Sequence, residues 1–138
     1  MIVKIENKYL EQAIDLLFHL SLKGKKSRHR TKLIRKMSER LQEVDEQRVE
    51  LAKEHAKKDE DGEPVKIDGG KRFDIEDQEA FNHDLKELYE EQLVLDGGDN
   101  QGMLKTIRDV LLNCDKEFSG QEAAVYDYLC DQFEGGEA

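Results

Sequence analysis

The sequence predicts a mostly α fold of the α+β class: about five helices, a long antiparallel helical pair and a small β-hairpin or sheet. Three observations carry that reading. From Ser27 to Lys58 there is no Gly or Pro, and apolar residues recur at heptad spacing: Ile34, Met37, Leu41, Val44 and Leu51, with Arg48 filling one step and His55 closing the seam. Such a helix is about 45–50 Å long and needs a partner along its apolar stripe. Apolar residues make up 37% of the chain and charged residues 39%, with no Trp and one Pro, which suits a slim helical protein with a narrow core. Short β-branched, alternating stretches flank the helical segments and supply the β element.

In order, Met1–Glu6 alternates Met1, Val3 and Ile5 against Ile2, Lys4 and Glu6 and reads as a strand. Asn7 is a suitable N-cap for a first helix reaching about Leu22, with Leu10, Ala13, Ile14, Leu17 and Leu20 or Ser21 inward. Lys23-Gly24-Lys25-Lys26 interrupts it before the long helix. Gly62 and Pro64 close that helix, and Val65–Ile67 and Arg72–Ile75 form a hairpin around Asp68-Gly69-Gly70. A third helix over Glu76 to about Gln92 carries Phe81, Leu85, Leu88 and Gln92 at steps matching the seam, so the two helices fold back on each other with the hairpin at their tip. Leu93–Leu95 is a strand returning beside Met1–Glu6. After the Asp96–Gly102 loop, a fourth helix from Met103 to about Lys116 buries Leu104, Ile107, Val110, Leu111 and Cys114. Ser119-Gly120-Gln121-Glu122 is a capping box opening a fifth helix with Ala124, Val125, Tyr128, Leu129 and Phe133 inward. Residues 134–138 read as a frayed tail. The whole, 1–138, reads as one domain with a helical arm over about 27–92.

Charge is strongly polarised. The net charge is −10, yet Lys23, Lys25, Lys26, Arg28, Arg30, Lys32, Arg35 and Lys36 form a run with no acidic residue, which leaves −18 for the rest of the chain. Residues 59–138 hold 23 Asp and Glu against 7 Lys and Arg. A field of that sign repels nucleic acid and favours basic protein partners. The basic run could bind phosphates, but no aromatic residue is interleaved for base stacking; it equally suits pairing with acidic helices of this chain or a neighbouring subunit.

No constellation points to catalysis or a cofactor. Asp59-Glu60-Asp61-Gly62-Glu63 resembles a calcium loop, but Lys57 stands at the first ligand position and Asp68 at the last. His83-Asp84 lacks companion ligands in sequence, and His19, His29 and His55 stand apart. Walker and dinucleotide patterns are absent. Cys114 and Cys130 fit free thiols in helical apolar patterns, with a disulfide between the two helices the alternative. The expectation is therefore no enzyme activity, no metal and no cofactor.

The segments Leu20–Ile34 (LSLKGKKSRHRTKLI), Lys57–Pro64 (KKDEDGEP) and Ser119–Leu129 (SGQEAAVYDYL) together resemble a family of small uncharacterised phage and prophage proteins of low-GC Gram-positive bacteria. The resemblance spans nearly the whole chain and implies a viral product made in a bacterial cytoplasm. There is no leader-like start, and the longest apolar run is three residues (Leu16, Leu17, Phe18), which also fits that location and no membrane.

The leading functional expectation is an acidic, non-enzymatic inhibitor of a host nucleic-acid-directed defence, anti-CRISPR-like or a nuclease inhibitor with a DNA-mimic surface. Its partner would be a basic protein surface on a host effector. The residues expected to make contact are Glu76, Asp77, Glu79, Asp84, Glu87, Glu90 and Glu91, with Asp109, Asp127 and Asp131 behind them. The alternative is a virion or tail-assembly component, found in the virion and self-associating through the helical seam. A third reading is a nucleic-acid-binding regulator acting through the 23–36 run.

Overall fold

The computed structural model describes residues 1–135 and divides the chain into two compact units, one of residues 1–41 with 92–135 and the other Gln42–Glu91. The elements are β1 (Ile2–Glu6), α1 (Leu10–Phe18), α2 (Lys25–His55), β2 (Lys66–Ile67), β3 (Arg72–Phe73), α3 (Gln78–Glu90), β4 (Gln92–Asp96), α4 (Gln101–Leu112) and α5 (Gly120–Gly135). The mostly α, α+β class is as the sequence predicts: five helices and two small antiparallel two-stranded sheets.

In the first unit β1 pairs antiparallel with β4, with Val3 opposite Leu95 and Ile5 opposite Leu93. Alternation turns Val3, Ile5 and Leu95 into the core while Lys4 and Val94 face solvent. Leu10, Ala13, Leu16 and Leu17 of α1, Leu33 and Met37 of α2, Met103, Leu104, Ile107 and Leu111 of α4, and Val125, Leu129 and Phe133 of α5 complete that core. Tyr9 stacks on Tyr128 at 3.7 Å between ring centroids, and the Tyr128 hydroxyl accepts the Glu6 amide at 2.9 Å. The Tyr126 hydroxyl donates to the Leu111 carbonyl, and its ring stacks on Phe118.

Several boundaries differ from the sequence reading, each for a local reason. Asn7 is not the cap of α1. It lies buried in a 3-10 turn (Asn7–Tyr9), where its Oδ1 accepts from Arg40 Nε at 3.0 Å. α1 stops at Phe18 instead of Leu22, and the Leu17 carbonyl in its last turn and the Leu20 carbonyl beyond it accept hydrogen bonds from the Arg30 guanidinium. Gly24, at a φ of 62°, starts α2 two residues early, and α2 ends at His55 because Ala56 and Lys58 bridge to Ile75 and Pro64. α3 ends at Glu90, so Gln92 is a strand residue and not part of a helical seam. α4 ends at Leu112, leaving half-buried Cys114 beyond it. Ala124 is exposed, while Ile14 is half-buried behind Leu16. Glu134 and Gly135 belong to α5, and the rest of the expected tail lies outside the described residues.

In the second unit, the latter part of α2 runs antiparallel to α3. His55 meets Phe81 and Asp84 at one end of the pair, and Gln47 and Glu50 share a cleft with Leu88 and Glu91 at the other. Val44, Ala56 and Leu88 are buried; Leu51, Phe81 and Leu85 are half-buried. The β2–β3 hairpin forms as expected, with the Lys57 amide on the Asp74 carbonyl at 2.8 Å. α3 is only 13 residues against 31 for α2, so it can partner only part of the seam; Met37 is instead covered within the first unit.

Two outcomes follow. Met37→Asp puts an unpaired carboxylate where the native side chain has no exposure, and should cost at least about 3 kcal/mol in urea unfolding; Arg48→Asp, on an exposed position of the same seam, should leave stability within about 0.5 kcal/mol. Burial, then the hydrogen bond with Cys130, pushes the Tyr126 phenol up to about 12. The folded state thus holds this proton more tightly than the unfolded chain. Its contribution should be intact below about pH 10 and lost as pH rises from there towards 12, visible as a late tyrosinate absorbance step accompanied by falling stability.

Candidate functional site

The most concentrated chemistry in the second unit is a cleft of about 390 Å³ between α2 and α3, lined by Gln47, Glu50, Leu51, Glu54, Asp84, Glu87, Leu88 and Glu91. Its construction follows from helical spacing. Glu50 and Glu54 are one turn apart on α2; Asp84 and Glu87 are on α3 and Glu91 caps its C-terminus, at steps of three and four. Leu51 and Leu88 form the floor, because the same period places one apolar residue per turn against the facing helix. Five carboxylates therefore point along two rails over an apolar base.

The rails are only lightly neutralised. Asp84 Oδ2 lies 2.6 Å from His55 Nε2, Glu87 3.1 Å from His83, and Glu50 3.5 Å from Lys53. No ion pair reaches Glu54 or Glu91 among the described residues. A row of this kind attracts Lys and Arg side chains, whose alkyl stems would lie on Leu51 and Leu88 while their heads meet carboxylates.

The ten acidic residues singled out in sequence do not form one face. Asp84, Glu87 and Glu91 line the cleft. Asp77 is the N-cap of α3, accepting the Ala80 amide at 3.1 Å, and so serves the helix start. Glu76 and Glu79 are exposed near that start, and Glu90 turns to Lys86 at 3.9 Å. Asp109, Asp127 and Asp131 belong to the first unit: Asp109 lines a cavity of about 470 Å³ with His19, Lys26, Asn113 and Lys116, and the other two are exposed on α5. Glu50 and Glu54 are not among the acidic residues expected from sequence; their spacing of four, on either side of Leu51, is the signal that marks them.

The basic run is also divided. Arg30 caps α1, and Lys32 donates to the Asp99 carbonyl at 2.9 Å. Lys23, Lys25, Lys26, Arg28 and Arg35 are exposed and Lys36 is half-buried; among the described residues none of the eight has a carboxylate within 4.0 Å.

The remaining constellations are local. Asp59 Oδ1 accepts the Asp61 and Glu63 amides at 2.9 and 3.0 Å, a side-chain-closed turn. His83, Asp84 and Glu87 bring one donor atom each within 4.8 Å of the others, the result of one helical turn and the His83–Glu87 pair. Cys114 and Cys130 are free and half-buried, and burial pushes the Cys130 thiol up. Among the described residues, no helix is long and apolar enough to cross a membrane.

The chain belongs to the family DUF1617, proteins of unknown function, whose model matches residues 1–138. The match includes α2, the cleft and the basic run alike. No curated protein and no solved structure matches the chain.

The Asp77 cap can be separated from the cleft experimentally. Asp77→Ala should lower stability by about 1 kcal/mol through the lost Ala80 bond, while cation binding at the cleft stays at the wild-type level, read by chemical denaturation and by titration with an oligo-arginine peptide.

Proposed function

We propose that this DUF1617 member is a phage-encoded, non-enzymatic binding protein whose cleft between α2 and α3 takes a Lys/Arg-lined surface of a host effector acting on nucleic acid, and so inhibits it. The observation that supports this is the double rail of Glu50, Glu54, Asp84, Glu87 and Glu91 over Leu51 and Leu88. Carboxylates one helical turn apart, about 5–6 Å, present a row of negative charge that competes with phosphates for the same cations. The apolar floor adds what a phosphate backbone lacks, contact for the alkyl stems of the bound side chains. Charge of this kind sets on-rate and partner choice, and its effect shrinks as salt rises.

The test is capture from infected and uninfected bacterial lysate by the full chain, alongside the variant Glu54→Lys, Glu87→Lys, Glu91→Lys. These three side chains are exposed, and none is buried in the core, so the helices should persist. The wild type should retain a nucleic-acid-directed enzyme and suppress its activity at about 0.1 M salt, with weaker capture at about 0.5 M. The variant should lose both. Capture of phage tail proteins instead, or undiminished binding by the variant with loss on neutralising Lys25, Lys26 and Arg28, would overturn the reading.

A further inference from the structure

A second kind of chemistry sits at the His55 end of the α2–α3 pair, wholly within the second unit. His83 and Glu87 are one turn apart on α3, and His83 Nε2 lies 3.1 Å from Glu87 Oε1. Asp84, the next residue after His83, brings a carboxylate to the same place, so that one donor atom from each of the three lies within 4.8 Å of the others. Two donors bound at about 2.0–2.1 Å to one tetrahedral ion stand about 3.3 Å apart, close to the His83–Glu87 separation. His83 and Glu87 are exposed, which leaves their side chains room to turn onto a shared ion, whereas Asp84 is half-buried.

Asp84 is held from the facing helix. Its Oδ2 accepts from His55 Nε2 at 2.6 Å, and the half-buried His55 ring is set edge-on to Phe81 at 5.8 Å between ring centroids. Metal-binding carboxylates are fixed by neighbouring hydrogen bonds of this kind. In sequence His83-Asp84 has no companion; the turn of α3 supplies Glu87 and the fold supplies His55. No Lys or Arg pairs with Asp84 or Glu87 among the described residues. Residues 42–91 hold 18 Asp and Glu against 8 Lys and Arg, a field that draws cations towards the unit.

We infer that His83, Asp84 and Glu87 form a binding site for a zinc-like divalent transition-metal ion, and that His55 positions Asp84 for it. The donors are His83 Nε2, Glu87 Oε1 and Asp84 Oδ1; Oδ2 stays on His55, and water completes the coordination. The imidazole selects the class of ion. It suits zinc and nickel, whereas calcium takes six or more oxygen donors and magnesium prefers carboxylates, phosphates and its own waters. A simple ion pair between His83 and Glu87 accounts for their contact, but it leaves unused the third donor that His55 holds within reach. The inference goes beyond the cleft's proposed partner while sharing Asp84 and Glu87 with it. An ion bound there occupies two of the five cleft carboxylates, so zinc should loosen the hold of the cleft on cationic side chains.

Calorimetric titration of the full chain with zinc chloride tests the site. One ion should bind per chain, and about a hundredfold excess of magnesium or calcium should not displace it. His83→Ala and Glu87→Gln should each weaken binding at least about tenfold with the helical circular dichroism retained, since both side chains are exposed. His55→Ala should weaken it about tenfold, and His55→Gln, which keeps a donor for Asp84, should recover most of the loss. His19→Ala removes another exposed imidazole paired with a carboxylate, on the first unit, and should leave the affinity unchanged. Zinc should also weaken oligo-arginine binding to the wild type and not to His83→Ala. Absence of stoichiometric binding, full affinity in His83→Ala, displacement by magnesium, or loss of binding on replacing Cys114 or Cys130 with Ala would each overturn the inference. Zinc bound with no capture of a host effector would leave this site standing while the proposed function failed; capture by a chain that takes up no zinc would do the reverse.

Discussion

The constraint on which the structure depends is that α2 must satisfy two sets of apolar partners with one uninterrupted helix. Leu33 and Met37 join the core made by β1, β4, α1, α4 and α5, while Val44 is buried in the second unit and Leu51 lines the cleft against α3. A helix of 31 residues without Gly or Pro is stiff enough to do this, and packing on its apolar stripe compensates for its weak intrinsic amphipathicity. Once that stripe is committed on one side, the rest of the α2 surface is left to charged residues. The cleft rail at Glu50 and Glu54 is a consequence of that division.

The acidic unit gains its chemical character from how little apolar surface it has. Val44, Ala56 and Leu88 are buried and the other apolar contacts of the α2–α3 pair are partial, so the cleft between the helices stays open at its rim. His55 fastens one end by its contact with Asp84, and the Lys57–Asp74 and Glu76–His55 backbone bonds tie the hairpin to that end. Carboxylates then stand on both sides of an open cleft whose floor is Leu51 and Leu88. Such a surface favours cationic side chains with long stems, which is the physical basis of the proposed inhibitor role.

Much of this fold is legible in the residues themselves. Val3 and Ile5 alternate with charged neighbours, Leu104, Ile107 and Leu111 repeat at helical spacing, and Asp68-Gly69-Gly70 marks the hairpin turn, so β1, α4 and the β2–β3 hairpin follow from local pattern. What the pattern could not reveal are contacts between residues far apart. Asn7 reads as a cap because its type suits one, yet Arg40, 33 residues away, makes it a buried acceptor. Arg30 reads as one more cation until the Leu17 and Leu20 carbonyls take it. The acidic site divides in the same way: Asp84, Glu87 and Glu91 share a face by spacing, but Glu50 and Glu54 join them only because α2 folds against α3, and Asp109, Asp127 and Asp131 belong to another unit.

The central claim is that cations are received by the α2–α3 cleft in preference to the many other carboxylates of an acidic chain. A two-dimensional amide NMR titration of the full chain with a short oligo-arginine peptide addresses it directly, residue by residue. The account predicts saturable shifts concentrated at Gln47, Glu50, Leu51 and Glu54 and at Asp84, Glu87, Leu88 and Glu91, suppressed by salt. Shifts spread evenly over Asp59–Glu63, Asp109, Asp127 and Asp131 as well, or no saturation at the cleft, would contradict it.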